Sequence, residues 1–238
     1  MAVSDFFDKV KNGLIISCYA GDDYNVIFSE PSAMLALARS VVEGGAACIR
    51  VNLQHVKMLK NELDIPIYGI EKVYHGSEMR ITPTFEEAQA LVEAGADAIA
   101  IDATCRERFD DLTICEYIKE LKQRFDIPIL GDIATYEEAV LAQDCGIDAV
   151  STTLAGYTPQ SPSFGKLGEI PVPDPDYDLL GRLIKDLTIP VFAEGRFNTP
   201  EKATKALATG AHAVVVGTAI SNPQKITELY CHIIGMNK

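Results

Sequence analysis

Apolar residues recur along the chain in two alternating rhythms. Short, nearly continuous apolar runs occupy 13–18, 47–51, 66–70, 98–101, 128–132, 149–152, 190–194 and 213–216. Between them lie longer stretches, such as 56–63, 112–125, 178–187 and 224–234, in which apolar positions return every three or four residues. The first rhythm is that of parallel strands covered on both faces, the second that of amphipathic helices. Eight such units predict a single (β/α)8 barrel, an α/β fold, spanning residues 1–238 as one domain. A doubly wound open sheet is the alternative.

A repeated phrase supports the barrel. Thr84-Phe-Glu-Glu to Gly95, Thr135-Tyr-Glu-Glu to Gly146 and Thr199-Pro-Glu-Lys to Gly210 share one spacing, and a degenerate copy runs from Ser32 past Gly44-Gly45. The threonine suits a helix N-cap and the glutamate three residues on completes a capping box in two copies. Pro200 suits a first helical turn, and glycine suits the left-handed residue that ends a helix. Each copy predicts a helix, a stop and a strand.

Strand alternation then sorts the chemistry. Aligned on the preceding glycines, the positions Cys48, Ala98, Ala149, Ala213, then Arg50, Ala100, Ser151, Val215, then Asn52, Asp102, Thr153, Gly217 share one parity. In the proline-led strands Tyr68, Leu130 and Phe192, then Asp132 and Glu194, then Lys72 and Arg196 do the same. The bulky apolar positions between them belong under the helices, so these residues are predicted to face the lumen. Their polarity grows toward the end where barrel chemistry sits. Asp102 and Asp132 can alternatively serve only to cap a neighbouring helix.

Lys72 and Glu194, four strands apart, are predicted to face each other across the mouth. They would remove a proton from a carbon held between them and return one; a plain ion pair is the other reading. Lysine serves as a base only if burial or a nearby cation such as Arg50 brings its pKa toward neutrality. Arg50, Asn52, Asp132 and Thr153 are candidate substrate contacts. Gly195, Arg196, Gly217 and Thr218, after the seventh and eighth predicted strands, are candidate phosphate contacts. The connection 156–176 after the sixth strand holds five prolines. It is long enough to act as a lid, and Tyr157 at its start is placed to reach substrate.

Composition narrows the partners. The chain carries 21 basic and 34 acidic residues, a net charge of −13, which disfavours nucleic acid and anionic membranes. No Walker or GxGxxG motif is present, and the four histidines lack metal-ligand spacing, so no cofactor and no metal are expected. Six scattered cysteines without a CxxC pair predict reduced thiols in a cytoplasmic protein. The run at 13–20 follows acidic residues and is read as a strand, not a signal peptide.

The segments Gly13-Leu-Ile-Ile-Ser-Cys18, Gly45-Ala-Ala-Cys-Ile-Arg-Val-Asn52, Gly69-Ile-Glu-Lys72, Gly131-Asp-Ile-Ala-Thr135, Thr152-Thr-Leu-Ala-Gly-Tyr-Thr158 and Ala193-Glu-Gly-Arg196 carry a joint signature. Together they resemble the N-acetylmannosamine-6-phosphate 2-epimerase family of bacterial sialic-acid breakdown. The resemblance implies a cofactor-independent isomerase that inverts C2 of an amino-sugar phosphate through an enolate-like intermediate. Lys72 is then the catalytic lysine and Glu194 its partner carboxylate. Arg50 and Asp132 contact the sugar, while Gly195, Arg196, Gly217 and Thr218 hold the phosphate. The chain departs from the family's usual pattern at Tyr19, where glutamine is common, and at Glu71, where an apolar residue is common. A Schiff-base aldolase or lyase and a non-catalytic sugar-phosphate binder are the rival functions. A homodimer is left open.

Overall fold

The computed structural model describes residues 3–20, 25–161 and 173–236. Most of the predicted lid connection, 162–172, therefore lies outside the described residues. Eight strands close into a parallel barrel: β1 (Leu14–Ser17), β2 (Cys48–Asn52), β3 (Ile67–Ile70), β6 (Ala98–Asp102), β7 (Ile129–Asp132), β8 (Ala149–Ser151), β9 (Val191–Glu194) and β10 (Ala213–Val216). The remaining two, β4 (Lys72–His75) and β5 (Glu78–Ile81), form an antiparallel hairpin after β3, with Lys72 opposite Ile81. Sequence patterning missed this hairpin. Lys72 opens it, and does not extend the third barrel strand.

The parity reading holds. Ile15, Cys48, Tyr68, Ile70, Ala98, Ala100, Leu130, Ala149, Phe192, Ala213 and Val215 form one buried cluster in the lumen, whereas Ile49, Val51, Ile99, Ile101, Val214 and Val216 pack in the outer layer. One further helix was not legible: α1 (Val3–Val10) sends Phe6 and Val10 into the lumen cluster and closes the end opposite the strand tips. Phe6 meets the Tyr68 ring edge-on at 6.3 Å. No helix among the described residues is long and apolar enough to cross a membrane.

The helices between strands include α2 (Pro31–Glu43), α3 (Leu53–Glu62), α4 (Phe85–Glu93), α5 (Ile114–Arg124), α6 (Tyr136–Asp144), α7 (Tyr177–Asp186) and α8 (Pro200–Thr209). Short α9 (Thr218–Ser221) and terminal α10 (Pro223–Ile233) follow β10. Capping boxes form at Thr84–Glu87 and Thr135–Glu138 as the repeat predicts, and a third, unpredicted one forms at Thr113–Glu116. The glycines that close the copies are left-handed, with φ of 96° at Gly95 and 94° at Gly146. A Cβ would be strained there.

The cysteine reading needs one correction. Cys115 in α5 is paired with Cys145 at the end of α6, their Cα atoms 5.0 Å apart. Adjacent helices bring together residues 30 apart in sequence, a pairing that spacing does not reveal. Cys18, Cys48, Cys105 and Cys231 remain free.

Glu138 does more than close its capping box. Its carboxylate accepts from the amides of Ala134 and Thr135, and from Cys105 on the neighbouring loop at 2.8 Å, while only 2% exposed. Replacing it leaves buried donors without partners, at roughly 1–3 kcal/mol for each stranded group. Glu138→Ala is expected to lose about 2–4 kcal/mol of stability, read as a lower urea midpoint with an unchanged denaturant slope.

Candidate active site

Arg50 points from β2 into the lumen and is 3% exposed. A guanidinium withdrawn from water that far needs anionic partners. It has two: Nη1 donates to Glu194 Oε1 at 2.7 Å, and Nη2 donates to Oδ2 of Asp132, which is fully buried. Burial works against the charge on Arg50, but Asp132 and then Glu194 outweigh it and raise its pKa above the ordinary value. Burial also pushes the Asp132 carboxyl up, with Arg50 pulling the other way and Glu194 adding to the push.

Thr153 joins the two carboxylates. Its hydroxyl lies 2.6 Å from Asp132 Oδ1, 3.0 Å from Glu194 Oε2 and 2.9 Å from Ser151 Oγ. One O–H proton serves one acceptor at a time, so the arrangement is a competition for a single donor. The Ser151 hydroxyl also reaches Glu194 Oε2, at 3.3 Å. Below them the Tyr68 ring supports the guanidinium, its centroid 5.4 Å from Arg50 Cζ.

Lys72, at the start of the hairpin that follows β3, lies close enough to Arg50, Glu194 and Asp132 to feel the charge of each. The sequence left open a plain Lys72–Glu194 ion pair. Arg50 takes Glu194 instead, and among the described residues the Lys72 amine forms neither an ion pair nor a hydrogen bond. It rests over the Tyr19 ring, 3.8 Å from the centroid. Burial and then repulsion by Arg50 lower its pKa to about 8, with Glu194 and Asp132 opposing both. An amine in that range carries and releases a proton near neutral pH.

The backbone before Lys72 is held tightly. Thr82, buried and β-branched, adopts φ of 44°, a costly conformation that persists only where its surroundings enforce it. The Thr82 amide donates to the Glu71 carbonyl, the Glu71 amide donates to Thr82 Oγ1 at 3.1 Å, and the Tyr117 hydroxyl donates to the Thr82 carbonyl at 2.8 Å. The departure at Glu71 has a physical reason: its carboxylate accepts from the Leu53 amide at 3.1 Å, in the first turn of α3.

The other predicted residues divide. Asn52, two positions beyond Arg50 on β2, is buried, and its Oδ1 has no hydrogen-bond partner among the described residues. Asp102, level with Asp132 on the neighbouring strand, is engaged elsewhere: it pairs with Arg106 and accepts from the Thr104 hydroxyl at 2.6 Å. That loop borders a cavity of about 380 Å³ lined by Thr104, Arg106, Arg108 and Thr113, which no predicted site residue lines. Gly195 and Arg196 are consecutive left-handed residues at the end of β9, with φ of 100° and 64°. Arg196 donates from Nη2 to the Ala155 carbonyl at 2.8 Å and covers the Tyr157 ring, so Tyr157 is placed beside Arg196. Gly217 precedes α9 at the adjacent strand end, where a Cβ would sit 3.5 Å from that of Ser17, and Thr218 is exposed.

Sequence reasoning passed over Tyr68, Ser151 and Tyr19 as site residues. The first two stood at lumen positions and were read as lining. Tyr19 lies beyond β1, where strand parity gives no direction.

Comparison with known proteins agrees with this arrangement of strands. The family model described as "Putative N-acetylmannosamine-6-phosphate epimerase" matches residues 34–236. A relative named as a putative N-acetylmannosamine-6-phosphate 2-epimerase in Caldanaerobacter subterraneus subsp. tengcongensis is 42% identical over 233 residues, covering 97% of this chain and 94% of its own. One of the same name in Clostridioides difficile is 40% identical, covering 97% and 99%. The solved N-acetylmannosamine-6-phosphate 2-epimerase of Clostridium perfringens superposes with a TM-score of 0.86 at 37% identity, covering 95% of each chain. A thiamine phosphate pyrophosphorylase from Pyrococcus furiosus, at TM-score 0.58 and 16% identity over 98% and 99% of the two chains, shares the barrel alone. Neither rival function, the aldolase or the binder, gains support from these relatives. With the match spanning most of its length, the chain belongs to the N-acetylmannosamine-6-phosphate 2-epimerase family.

Proposed function

We infer that this chain inverts C2 of N-acetylmannosamine 6-phosphate to give N-acetylglucosamine 6-phosphate, with Lys72 as the proton carrier. The observation that carries the assignment of Lys72 is an amine with no carboxylate salt bridge among the described residues, lowered to about 8, at the mouth of the barrel. In the open-chain sugar the C1 aldehyde acidifies the C2–H bond. Lys72 removes that proton, and the electron pair delocalises onto the aldehyde oxygen as an enolate-like anion. Arg50 is the fixed cation nearest the base. It stabilises the developing oxyanion without reorganising, because Asp132 and Glu194 already hold it in place. Reprotonation from the other face completes the inversion, and Glu194 is the carboxylate on that wall.

The Asn52 amide, with its unoccupied Oδ1, and the Thr153 hydroxyl are assigned to sugar hydroxyls or the acetamido group. Gly195, Arg196, Gly217 and Thr218, on the adjacent ends of β9 and β10, are assigned to the 6-phosphate, with Tyr157 beside Arg196. Gly195 and Arg196 both take positive φ, so the backbone turns out of the strand at this corner.

Lys72→Ala is expected to fold but to abolish exchange of the C2 proton with deuterated solvent, followed by proton NMR on N-acetylmannosamine 6-phosphate. Retained exchange would remove Lys72 from the mechanism. Glu194→Gln separates the routes: on a two-base route it keeps exchange into substrate while slowing formation of the epimer.

The pH dependence has a definite sign. Lys72 must be neutral to accept the proton, so kcat/KM rises with pH and levels off above about 8. Arg50 lowers the lysine pKa by repulsion, and its removal lets that pKa climb. Arg50→Gln is therefore expected to move the acid limb of kcat/KM to higher pH. The plateau should also fall by roughly 10²–10³-fold through loss of oxyanion stabilisation. An unmoved limb would show that the kinetic group is not Lys72.

The homodimer is supported by α10. None of its residues is buried, and Tyr230, Ile233 and the capping Ile234 are each at least 65% exposed. Apolar surface of that kind favours burial against a second copy. Sedimentation velocity is expected to show a dimer that Ile233→Glu dissociates; a monomeric parent protein would refute the assembly.

A further inference from the structure

We propose that Tyr19 is a positioning residue for Lys72, its ring being the seat that fixes where the amine rests in the barrel mouth. This deepens the functional reading above and rests on Lys72 as proton carrier.

A lysine side chain has four rotatable carbons and a point charge, and by itself selects no position. Fixed location comes from contacts. Both central carboxylates are engaged by Arg50, and among the described residues Lys72 gains no hydrogen bond from elsewhere. The directional contact it has is the face of Tyr19, at 3.8 Å. An aromatic face is the negative end of the ring quadrupole and attracts an ammonium along its axis.

The ring is itself well anchored. Tyr19 is half-buried and packs against the lumen cluster that contains Tyr68 and Ile70. Its carbonyl accepts from Asn25 Nδ2 at 3.2 Å, and the same amide group donates to the Ser221 carbonyl at 3.0 Å. One residue earlier, the Cys18 amide donates to the Arg50 carbonyl at 2.8 Å. The seat is thus tied to β2, which carries Arg50, and to α9, which follows β10.

The groups facing the amine are Arg50 from β2, Asp132 from β7, Glu194 from β9 and the Tyr19 ring from beyond β1. Arg50 repels the ammonium, the carboxylates attract it from a distance, and burial opposes the charge. The ring adds attraction at contact range, which acts on location as well as on charge. It holds the ammonium more strongly than the neutral amine, which keeps the contact with the ring face but not the charge–quadrupole attraction.

The test uses protein labelled with carbon-13 at the lysine ε position. The Lys72 resonance, identified by its loss in Lys72→Arg, is titrated in the wild type, Tyr19→Phe and Tyr19→Leu. Leucine keeps the apolar cover and removes the π face, so only attraction for the ammonium is lost. The midpoint is expected to move about half to one pH unit lower in Tyr19→Leu and to be restored in Tyr19→Phe. If Tyr19→Leu does not accumulate, Tyr19→Met carries the same expectation. Alongside, the acid limb of kcat/KM should move down by the same amount, and kcat on the plateau should fall roughly tenfold with KM little changed. An unmoved Lys72 midpoint in Tyr19→Leu, or an equal displacement in Tyr19→Phe, overturns the seat. A midpoint that moves while the kinetic limb stays put leaves the seat standing and overturns Lys72 as the base.

Discussion

A single buried cation organises this barrel. Arg50 lies in the lumen with its charge divided between Asp132 and Glu194, reached from strands on different sides of the ring. Removing one member of such a set would strand the others at a cost of about 3–5 kcal/mol. Yet replacing a buried ion set with well-packed apolar residues is often neutral for stability. Stability alone therefore gives little reason for three charges to occupy a lumen otherwise lined mainly by aliphatic and aromatic side chains. Chemistry does give one. By taking both carboxylates, Arg50 leaves the nearby Lys72 amine without an ion-pair partner among the described residues and repels its charge. On the mechanism proposed above, the interaction that fixes the oxyanion site also frees the base.

The outer framework places those charges to within hydrogen-bonding distance. In two copies of the repeat an aspartate two residues past the glycine spans three elements. Asp97 accepts from the Ile67 amide and the Lys60 amine, and Asp148 from the Ile129 amide and the Lys122 amine. Each ties the start of one strand to the preceding helix and the start of the next strand. Registers follow: Asp132 lies level with Ser151, and Arg50 with Ser17. The close fit of helices on the sheet contributes too. At Gly131, next to Asp132, a Cβ would come within 2.8 Å of both Ala103 and Ile147 side chains.

What could be read in the residues depended on whether period 2 or period 3.6 governed the segment. All eight barrel strands and the inward set Arg50, Asp132 and Glu194 followed from alternation, because burial on two faces leaves a charged side chain one affordable direction. Lys72 came out at the correct opening by a rule that did not apply to it, since it begins a hairpin and not a strand end. The hairpin is short and turns at Gly76, and its buried residues, Arg80 and Ile81, are adjacent in sequence, so burial imposes no alternation on it. Helix α1 was missed for a different reason: its apolar residues fill the end of the lumen, a role that one helix plays without repetition. The Cys115–Cys145 pairing and the Tyr19 contact are products of tertiary neighbourhood, and local spacing contains no trace of either.

The two departures from the family pattern act on the same side chain from opposite ends. Glu71 fixes the backbone that carries Lys72, joining the first turn of α3 to the strained Thr82 at the foot of α4. Tyr19 meets the far end, where the amine lies over its ring. Between these fixed points the lysine stem spans the wall of the mouth. A base must sit within a fraction of an ångström of the carbon it serves, because misplacement by about 1 Å can cost a hundredfold in rate. Backbone strain at Thr82 is the expense of the first constraint. For the second, the amine has no direct carboxylate contact among the described residues. That arrangement suits catalysis, since a carboxylate at contact distance would hold the ammonium charged, whereas an aromatic face attracts it weakly enough to let the proton go.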